Sequence, residues 1–241
     1  MRFGYMPSFK TDLLEEIDFA KKYFDFIEIT LKRDLTQYHR FYLKKIKNRL
    51  SKFEILGHLH WEIDLRKREE IKEALRNVEI YIFLGARKIT IHPSENYKAL
   101  IKIADFCKSK KVRLSIENTD SFPFNDPKEL KNLLDKIPSA RLTLDIGHAI
   151  NYWSEFLKLF PNKINHIHLH YNNKKEDHLL FNDDKLLKKA LFKLAHFKKR
   201  LTVSLEIFKI SKGQKIIPLE GEFRRKILIK QLERIKKTHF L

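Results

Sequence analysis

Eight of the eleven histidines in this 241-residue sequence fall in or beside the ends of short apolar runs: His58, His60, His92, His148, His166, His168, His170 and His178. The remaining three, His39, His196 and His239, fall on stretches that read as helices. Carboxylates accompany the first group: Glu117, Asp145, Glu206 and the Glu176–Asp177 pair before His178. Acids that converge in an interior repel one another and lose solvation, so they need protons or cations. Imidazoles interleaved with carboxylates are the donor set of zinc, manganese and similar divalent ions. The lone Cys107 excludes both a thiolate cluster and a disulfide framework. Taking one histidine or acid per site, nine side chains are available, enough for two or three ions.

The runs that must position these groups alternate with amphipathic stretches. Strands are expected over Arg2–Met6, Phe24–Leu31, Phe53–His60, Lys88–His92, Val112–Asn118, Arg141–Gly147, Ile164–Tyr171 and Leu201–Phe208. Helices are expected over Leu13–Tyr23, Asp34–Lys52, Leu65–Gly85, Tyr97–Lys110, Pro127–Ile137, Tyr152–Phe160, Asp184–Lys199 and Glu222–His239. Eight β-then-α units with no break in composition predict one α/β domain over residues 1–241, a (β/α)8 TIM barrel. A doubly wound sheet is the second architecture this order allows.

Strand alternation sorts the side chains further. In Ile164–Tyr171, His166, His168 and His170 share one face, with Ile167 and Leu169 on the other. Thr143 and Asp145 oppose Leu142 and Leu144, Ser115 and Glu117 oppose Leu114 and Ile116, and Ser204 and Glu206 oppose Val203 and Leu205. The aliphatic face of a barrel strand meets the outer helices, so the polar face points to the axis. Most barrel interiors are filled by branched aliphatics; this one is expected to be polar, with its acids and imidazoles at the strand C-terminal ends, where barrel enzymes carry their chemistry. Each motif alone has an ordinary structural explanation, but their recurrence at the same end of successive strands does not.

Composition narrows the classes. Lys+Arg 50 against Asp+Glu 31 gives a net charge of +19, which favours polyanionic partners. Charged residues at 34% with only 6 Gly also match the ion-pair-rich style of heat-adapted proteins. No apolar run approaches the ~20 residues of a membrane span, no signal-peptide core is present, and a cytoplasmic protein is expected. Glycine-rich phosphate loops of the dinucleotide or Walker type are absent.

Taken in order, Gly57-His58, Ile91-His92-Pro93, Ile116-Glu117-Asn118-Thr119, Leu144-Asp145-Ile146-Gly147-His148, His166-Ile167-His168-Leu169, Asp177-His178 and Leu205-Glu206 resemble the motifs of xylose-isomerase-like barrels. That superfamily includes AP endonuclease family 2, with endonuclease IV, and many sugar isomerases and epimerases. Carried over, the endonuclease IV pattern implies three zinc sites. His58, His92 and Glu117 would hold the first. Glu117 would bridge to a second, held also by Asp145, His168 and Glu206. His148, His178 and an acid two positions before it, Glu176, would hold the third, with Asp177 as its neighbouring substitute. The sequence departs from the pattern at Asn182, where the family has glycine, and at His170-Tyr171, which replaces an Asn-Asp pair.

The resemblance leads to two activities. One is a metal-dependent phosphodiesterase acting on abasic or damaged DNA, in which clustered ions generate hydroxide at neutral pH. There His148 joins Glu117 and Glu206 in the catalytic group, and Trp61, Lys174 and Lys175 could meet DNA. The alternative is a sugar or sugar-phosphate isomerase or epimerase. It needs one divalent ion, on Glu117, Asp145, His168 and Glu206, with Glu117 and Glu206 moving a proton beside a carbonyl. The expected cofactors are divalent ions, zinc foremost, then manganese or magnesium. The partner is DNA or a small phosphorylated sugar; no protein partner is expected. The charge around the strand C-terminal rim discriminates: a basic rim favours DNA, and a neutral rim over a deep pocket favours a small sugar.

Overall fold

A computed structural model describes residues 1–8, 10–32, 39–173, 175–181, 184–195, 201–212 and 215–239. Eight parallel strands close on themselves in sequence order. They are β1 (Arg2–Tyr5), β2 (Phe26–Thr30), β3 (Glu54–His58), β4 (Lys88–Ile91), β5 (Arg113–Glu117), β6 (Arg141–Asp145), β7 (Ile164–Leu169) and β8 (Thr202–Leu205). The helices between and after them are α1 (Leu13–Tyr23), α2 (Arg40–Leu50), α3 (Arg68–Leu84), α4 (Tyr97–Ser109), α5 (Pro127–Lys136), α6 (Trp153–Leu159), α7 (Asp184–Ala195) and α8 (Gly221–His239). This is the expected α/β TIM barrel. After β8 the chain adds an antiparallel pair that periodicity misses, β9 (Lys209–Lys212) and β10 (Lys215–Pro218).

Local chemistry sets the helix ends. The Asp12 carboxylate accepts from the Leu14 and Glu15 amides at the start of α1, and Asp126 caps α5 ahead of Pro127, a residue whose fixed φ suits a first helical position. His39, on an expected helix, is instead the N-cap of α2, its Nδ1 accepting from Tyr42 N at 3.3 Å. Gly85 ends α3 at φ 102°, a left-handed conformation that costs glycine least. Expected helix residues 34–38 and 196–199 lie outside the described residues.

The core lies between strands and helices. Ile89, Ile91, Leu114, Ile116, Leu142, Leu144, Ile167, Leu169, Val203 and Leu205 are all buried on the outward strand faces. The opposite parity lines the axis. From base to mouth it reads Phe26, Glu28 on β2, Lys88, Thr90 on β4, Arg113, Ser115, Glu117 on β5, Arg141, Thr143, Asp145 on β6, His166, His168 on β7 and Thr202, Ser204 on β8. Pairing of β6 with β7 steps from Leu142↔Ile164 to Thr143↔His166, so Asn165 is the extra residue of a bulge. Above the bulge, Asp145 pairs with His168, and His168 with Ser204.

Candidate metal centre

The floor of the barrel mouth is built on His168. Its Nδ1 lies 2.7 Å from Glu117 Oε1, 3.1 Å from Glu206 Oε1 and 3.8 Å from Asp145 Oδ2, and all four residues are buried. Three carboxylates from β5, the end of β6 and the residue after β8 therefore converge on one imidazole nitrogen.

His58 and His92 stand beside this floor. His58 Nδ1 is 2.7 Å from the Leu59 carbonyl oxygen, to which it donates, leaving Nε2 to face Glu117 Oε2 at 2.9 Å. His92 Nε2 approaches the same oxygen at 3.3 Å. Glu117 thus presents one oxygen to His168 and the other to His58 and His92, the disposition of a bridging carboxylate.

A third group lies toward the loop after β7. His148 Nε2 is 3.0 Å from Asp177 Oδ2, and His178 Nε2 is 3.5 Å from the same atom. Glu176, the acid the family resemblance implies here, instead turns outward to pair with Lys209 at 2.7 Å, and Asp177 occupies the position between the histidines. The physical reason is the loop backbone: His178 takes φ 56°, and its amide donates to Asp177 Oδ1 at 2.9 Å, drawing that side chain inward. His170 sits beneath, with Nε2 2.9 Å from Asp145 Oδ2 and Nδ1 3.1 Å from Asp177 Oδ1. Gly147 gives it room, since a Cβ there would lie 2.0 Å from the His170 ring. Lys174 and Asn182 lie outside the described residues.

Sequence reasoning missed Glu28. This fully buried acid on β2 faces His166 Nε2 at 2.8 Å and His168 Nε2 at 3.3 Å. With the His168 proton held on Nε2 by Glu28, the Nδ1 lone pair is left for a metal, the carboxylate–imidazole pairing that orients metal ligands. The signal was available in Phe26-Ile-Glu28-Ile-Thr30, where alternation sets Glu28 opposite Ile27 and Ile29. Below it, His166 Nδ1 lies 2.7 Å from Thr202 Oγ1, which accepts from Lys88 Nζ at 2.7 Å. A polar column therefore runs up the axis. Asn118 braces the top by donating to the Asp145 carbonyl oxygen at 3.0 Å and accepting its amide at 2.8 Å. His60 does not join it; it stacks on Trp61 with centroids 4.1 Å apart.

The charges are matched to a cation. Burial alone raises the Glu117 carboxyl, but the charge of His168 and hydrogen bonds from His168, His58 and His92 hold it well below the ordinary range. Burial disfavours a charged His148, yet Asp145 and Asp177 push it up to about 10. Burial raises Glu206 to about 7, with Glu117 and Asp145 adding to the rise and His168 opposing it. His178 falls to about 4 through burial and the nearby His170. The acids thus borrow protons from imidazoles for want of another positive charge. Among the described residues no Lys or Arg pairs with Glu117, Asp145 or Glu206. Two buried atoms, Glu206 Oε1 and His178 Nδ1, make no hydrogen bond there. Several triads, including His58–His92–Glu117, His58–His168–Glu206 and His148–Asp177–His178, place donor atoms within 4.8 Å of one another. Oxygen and imidazole donors with orphaned atoms aimed inward fit divalent cations.

Above the floor opens a cavity of about 580 Å³. Its walls include Met6, Phe208 and the half-exposed Trp61, and Lys10 is the one lysine or arginine among its described lining. Lys10 is itself paired with Glu220. No described helix is long and apolar enough to cross a membrane.

Residues 17–235 match the family described as xylose isomerase-like TIM barrel. An uncharacterized protein of Methanocaldococcus jannaschii is 30% identical over 128 residues, 45% of this chain and 50% of that one, so the chain spans about half the length of that curated relative. A D-tagatose 3-epimerase-like protein superposes with TM-score 0.77 at 18% identity, covering 99% of this chain and 97% of that one. D-allulose 3-epimerase from Methylomonas sp. gives 0.71 at 16% identity, with 99% and 98% covered. At such identities the likeness is one of fold.

Proposed function

The chain belongs to the xylose isomerase-like TIM barrel family, and from that premise we propose that it is a divalent-metal-dependent isomerase or epimerase of a small keto sugar. One observation carries the choice within the family: the mouth is a confined cavity whose described lining holds a single lysine, already paired. A DNA backbone is gripped by an array of cations, and the described lining of this cavity holds no such array. A cavity of about 580 Å³ suits a small molecule. The sugar 3-epimerases with which the barrel superposes are in keeping with this reading.

Glu117, Asp145, His168 and Glu206 would hold the principal cation. When bound, that ion supplies Lewis-acid polarisation of a carbonyl oxygen. Glu117 and Glu206 both approach the same His168 nitrogen, at 2.7 and 3.1 Å, which puts both carboxylates at the floor of the cavity. One removes the proton from the carbon beside the carbonyl and the other returns it, to the same carbon for an epimerase or its neighbour for an isomerase. Trp61, Met6 and Phe208 exclude water from the cavity and offer an apolar face to the sugar ring.

A specific feature favours a second reading. His58 and His92 on one side, and His148, Asp177 and His178 on the other, exceed what a single-ion isomerase requires. A phosphodiesterase with two or three ions would use them all. One experiment separates the readings: assay a panel of ketoses and ketose phosphates in deuterated water beside an abasic-site duplex, with and without chelator, and count the metal per chain. Chelator-sensitive deuterium exchange into a ketose, lost in Glu206→Gln, supports the isomerase. Cleavage of the duplex, lost in His148→Ala, with two or more ions per chain and no ketose exchange, would reject it.

A further inference from the structure

The opposite end of the barrel holds a second concavity, about 590 Å³, and its charge is of the other sign. Arg2, Lys88, Arg113 and Arg141 open β1, β4, β5 and β6 and line it. Arg87, Lys108 and Lys111 add to it from the segments flanking β4 and β5. Against these seven cations the lining sets one carboxylate, Glu54, which pairs with Arg2, so the hollow carries a surplus of six (seven minus one). Arg87, Lys108, Lys111 and Arg113 form no ion pair among the described residues.

Ordinary structure does not ask for this arrangement. A cation in the last turn of a helix complements its dipole, and that accounts for Lys108 at the end of α4. The four strand-opening residues have no such reason, and in most barrels the inward positions are aliphatic. Lys88 reaches across the axis, donating to Thr202 Oγ1 at 2.7 Å and to the Asn165 carbonyl oxygen at 3.1 Å, both uncharged acceptors. Burial pulls its ammonium down to about 8, with Arg113 and Arg2 lowering it further against the pull of Glu28 and Glu54. Like charges gathered in a hollow repel, and the low-dielectric walls concentrate their field on whatever anion enters.

We infer that this lower pocket is a binding site for a small ligand carrying two or more phosphate groups. Guanidinium forks match phosphate oxygens in pairs, and a single phosphate dianion would leave most of the surplus unmet. The cations converge into a hollow instead of spreading along a face, which favours a compact ligand over a nucleic-acid strand. The pocket is separate from the metal centre, four residues up the same strands, and stands whichever reaction that centre performs.

The test is calorimetric titration of the metal-loaded protein with tripolyphosphate at physiological salt, alongside Arg113→Ala, Arg141→Ala and a control double variant, Lys230→Ala with Lys237→Ala on the exposed side of α8. Loss of a charge-assisted contact predicts affinity about tenfold or more weaker in each arginine variant. One equivalent bound, weakened in both and unchanged in the control, supports the site. Hydrogen exchange slowed over residues 108–113 and 139–141, and not over 117–121, locates it. Both arginines are exposed, so circular dichroism is expected to report an intact fold. Binding indifferent to either arginine, or weakened equally by the control, overturns the inference. So does an oligonucleotide that binds more tightly than tripolyphosphate through the same arginines, since nucleic acid would then be the ligand.

Discussion

Replacing Glu28 by glutamine tests whether the metal centre depends on an acid that touches no other proposed ligand than His168. The change is nearly isosteric, so packing is kept. The carboxylate accepts from His166 Nε2 at 2.8 Å and His168 Nε2 at 3.3 Å. Glutamine has one acceptor oxygen and one NH2 donor to offer the two nitrogens. If its NH2 faces His168, the imidazole proton moves from Nε2 to Nδ1, the atom that Glu117, Glu206 and Asp145 surround. A nitrogen carrying a proton cannot coordinate, so metal binding must first displace it. If its oxygen faces His168, the hydrogen bond survives but the charge that strengthens the ligand is gone. Either route removes a partner of the kind whose loss costs about 10–100-fold in metal affinity, or roughly 1.4–2.7 kcal/mol. Competition titration against a chelator of known affinity reads this directly. An affinity within about twofold of the parent, in a variant whose circular dichroism is unchanged, would refute the view that Glu28 sets the His168 tautomer.

On the multi-ion reading, Asp177→Asn is expected to remove one ion per chain by metal analysis, while Glu176→Gln, which breaks the half-buried pair with Lys209, leaves the count unchanged; the reverse result would restore Glu176 to the site. Gly147→Ala forces a Cβ to within 2.0 Å of the His170 ring, an overpacking expected to cost about 1–3 kcal/mol and lower Tm by roughly 3–10 °C, and a melt within a degree of the parent would count against it. Removing the metal exposes a pH dependence. His148 holds its proton to about 10 when folded, so the stability it contributes is complete below the unfolded histidine value and fades as pH rises toward 10. Glu206, raised to about 7, has the same sign, whereas Glu28, Glu117 and Asp145 are lowered and lose their contribution as pH falls below the ordinary carboxylate range. The Tm of chelated protein should therefore fall from neutral pH toward pH 10, and excess divalent ion should flatten that decline, because a cation replaces the protons; parallel pH profiles with and without metal would contradict it.

How far the sequence reveals this site follows from where its information lies. Alternation along a strand is local, so Ser115–Glu117, Thr143–Asp145 and Ser204–Glu206 could be assigned to the axis from their neighbours alone. The barrel follows from the order of the elements, and the strands and helices lie within a few residues of their expected bounds wherever those bounds fall on described residues. Glu28 was missed because its meaning is remote: it sits in an otherwise apolar run, and its partners His166 and His168 are 138 and 140 positions away. The choice between Glu176 and Asp177 depends on a left-handed backbone at His178, which no spacing encodes. The β9–β10 pair has too few residues and too many lysines to show a period. His60 shares the parity of His58, but it lies two residues beyond β3, where the barrel no longer dictates its direction.

Two strands state the design in their own sequence. Arg113-Leu-Ser-Ile-Glu117 and Arg141-Leu-Thr-Leu-Asp145 each place, on one inward face, a cation at the start, a hydroxyl in the middle and an acid at the end. Four steps of a strand separate cation from acid by about 13 Å, so the axis is positive below, hydrogen-bonded and nearly neutral between, and negative above. Such a barrel sorts its ligands by sign. Cations are drawn to the mouth and anions to the base, and neither end suits the other's ligand. An anionic substrate would be repelled by the acids at the mouth until a metal neutralises them, and the described cavity lining offers it one lysine. A neutral sugar meets no such barrier, so under the proposed function an unphosphorylated ketose suits the metal centre, and under the further inference phosphate belongs at the opposite end.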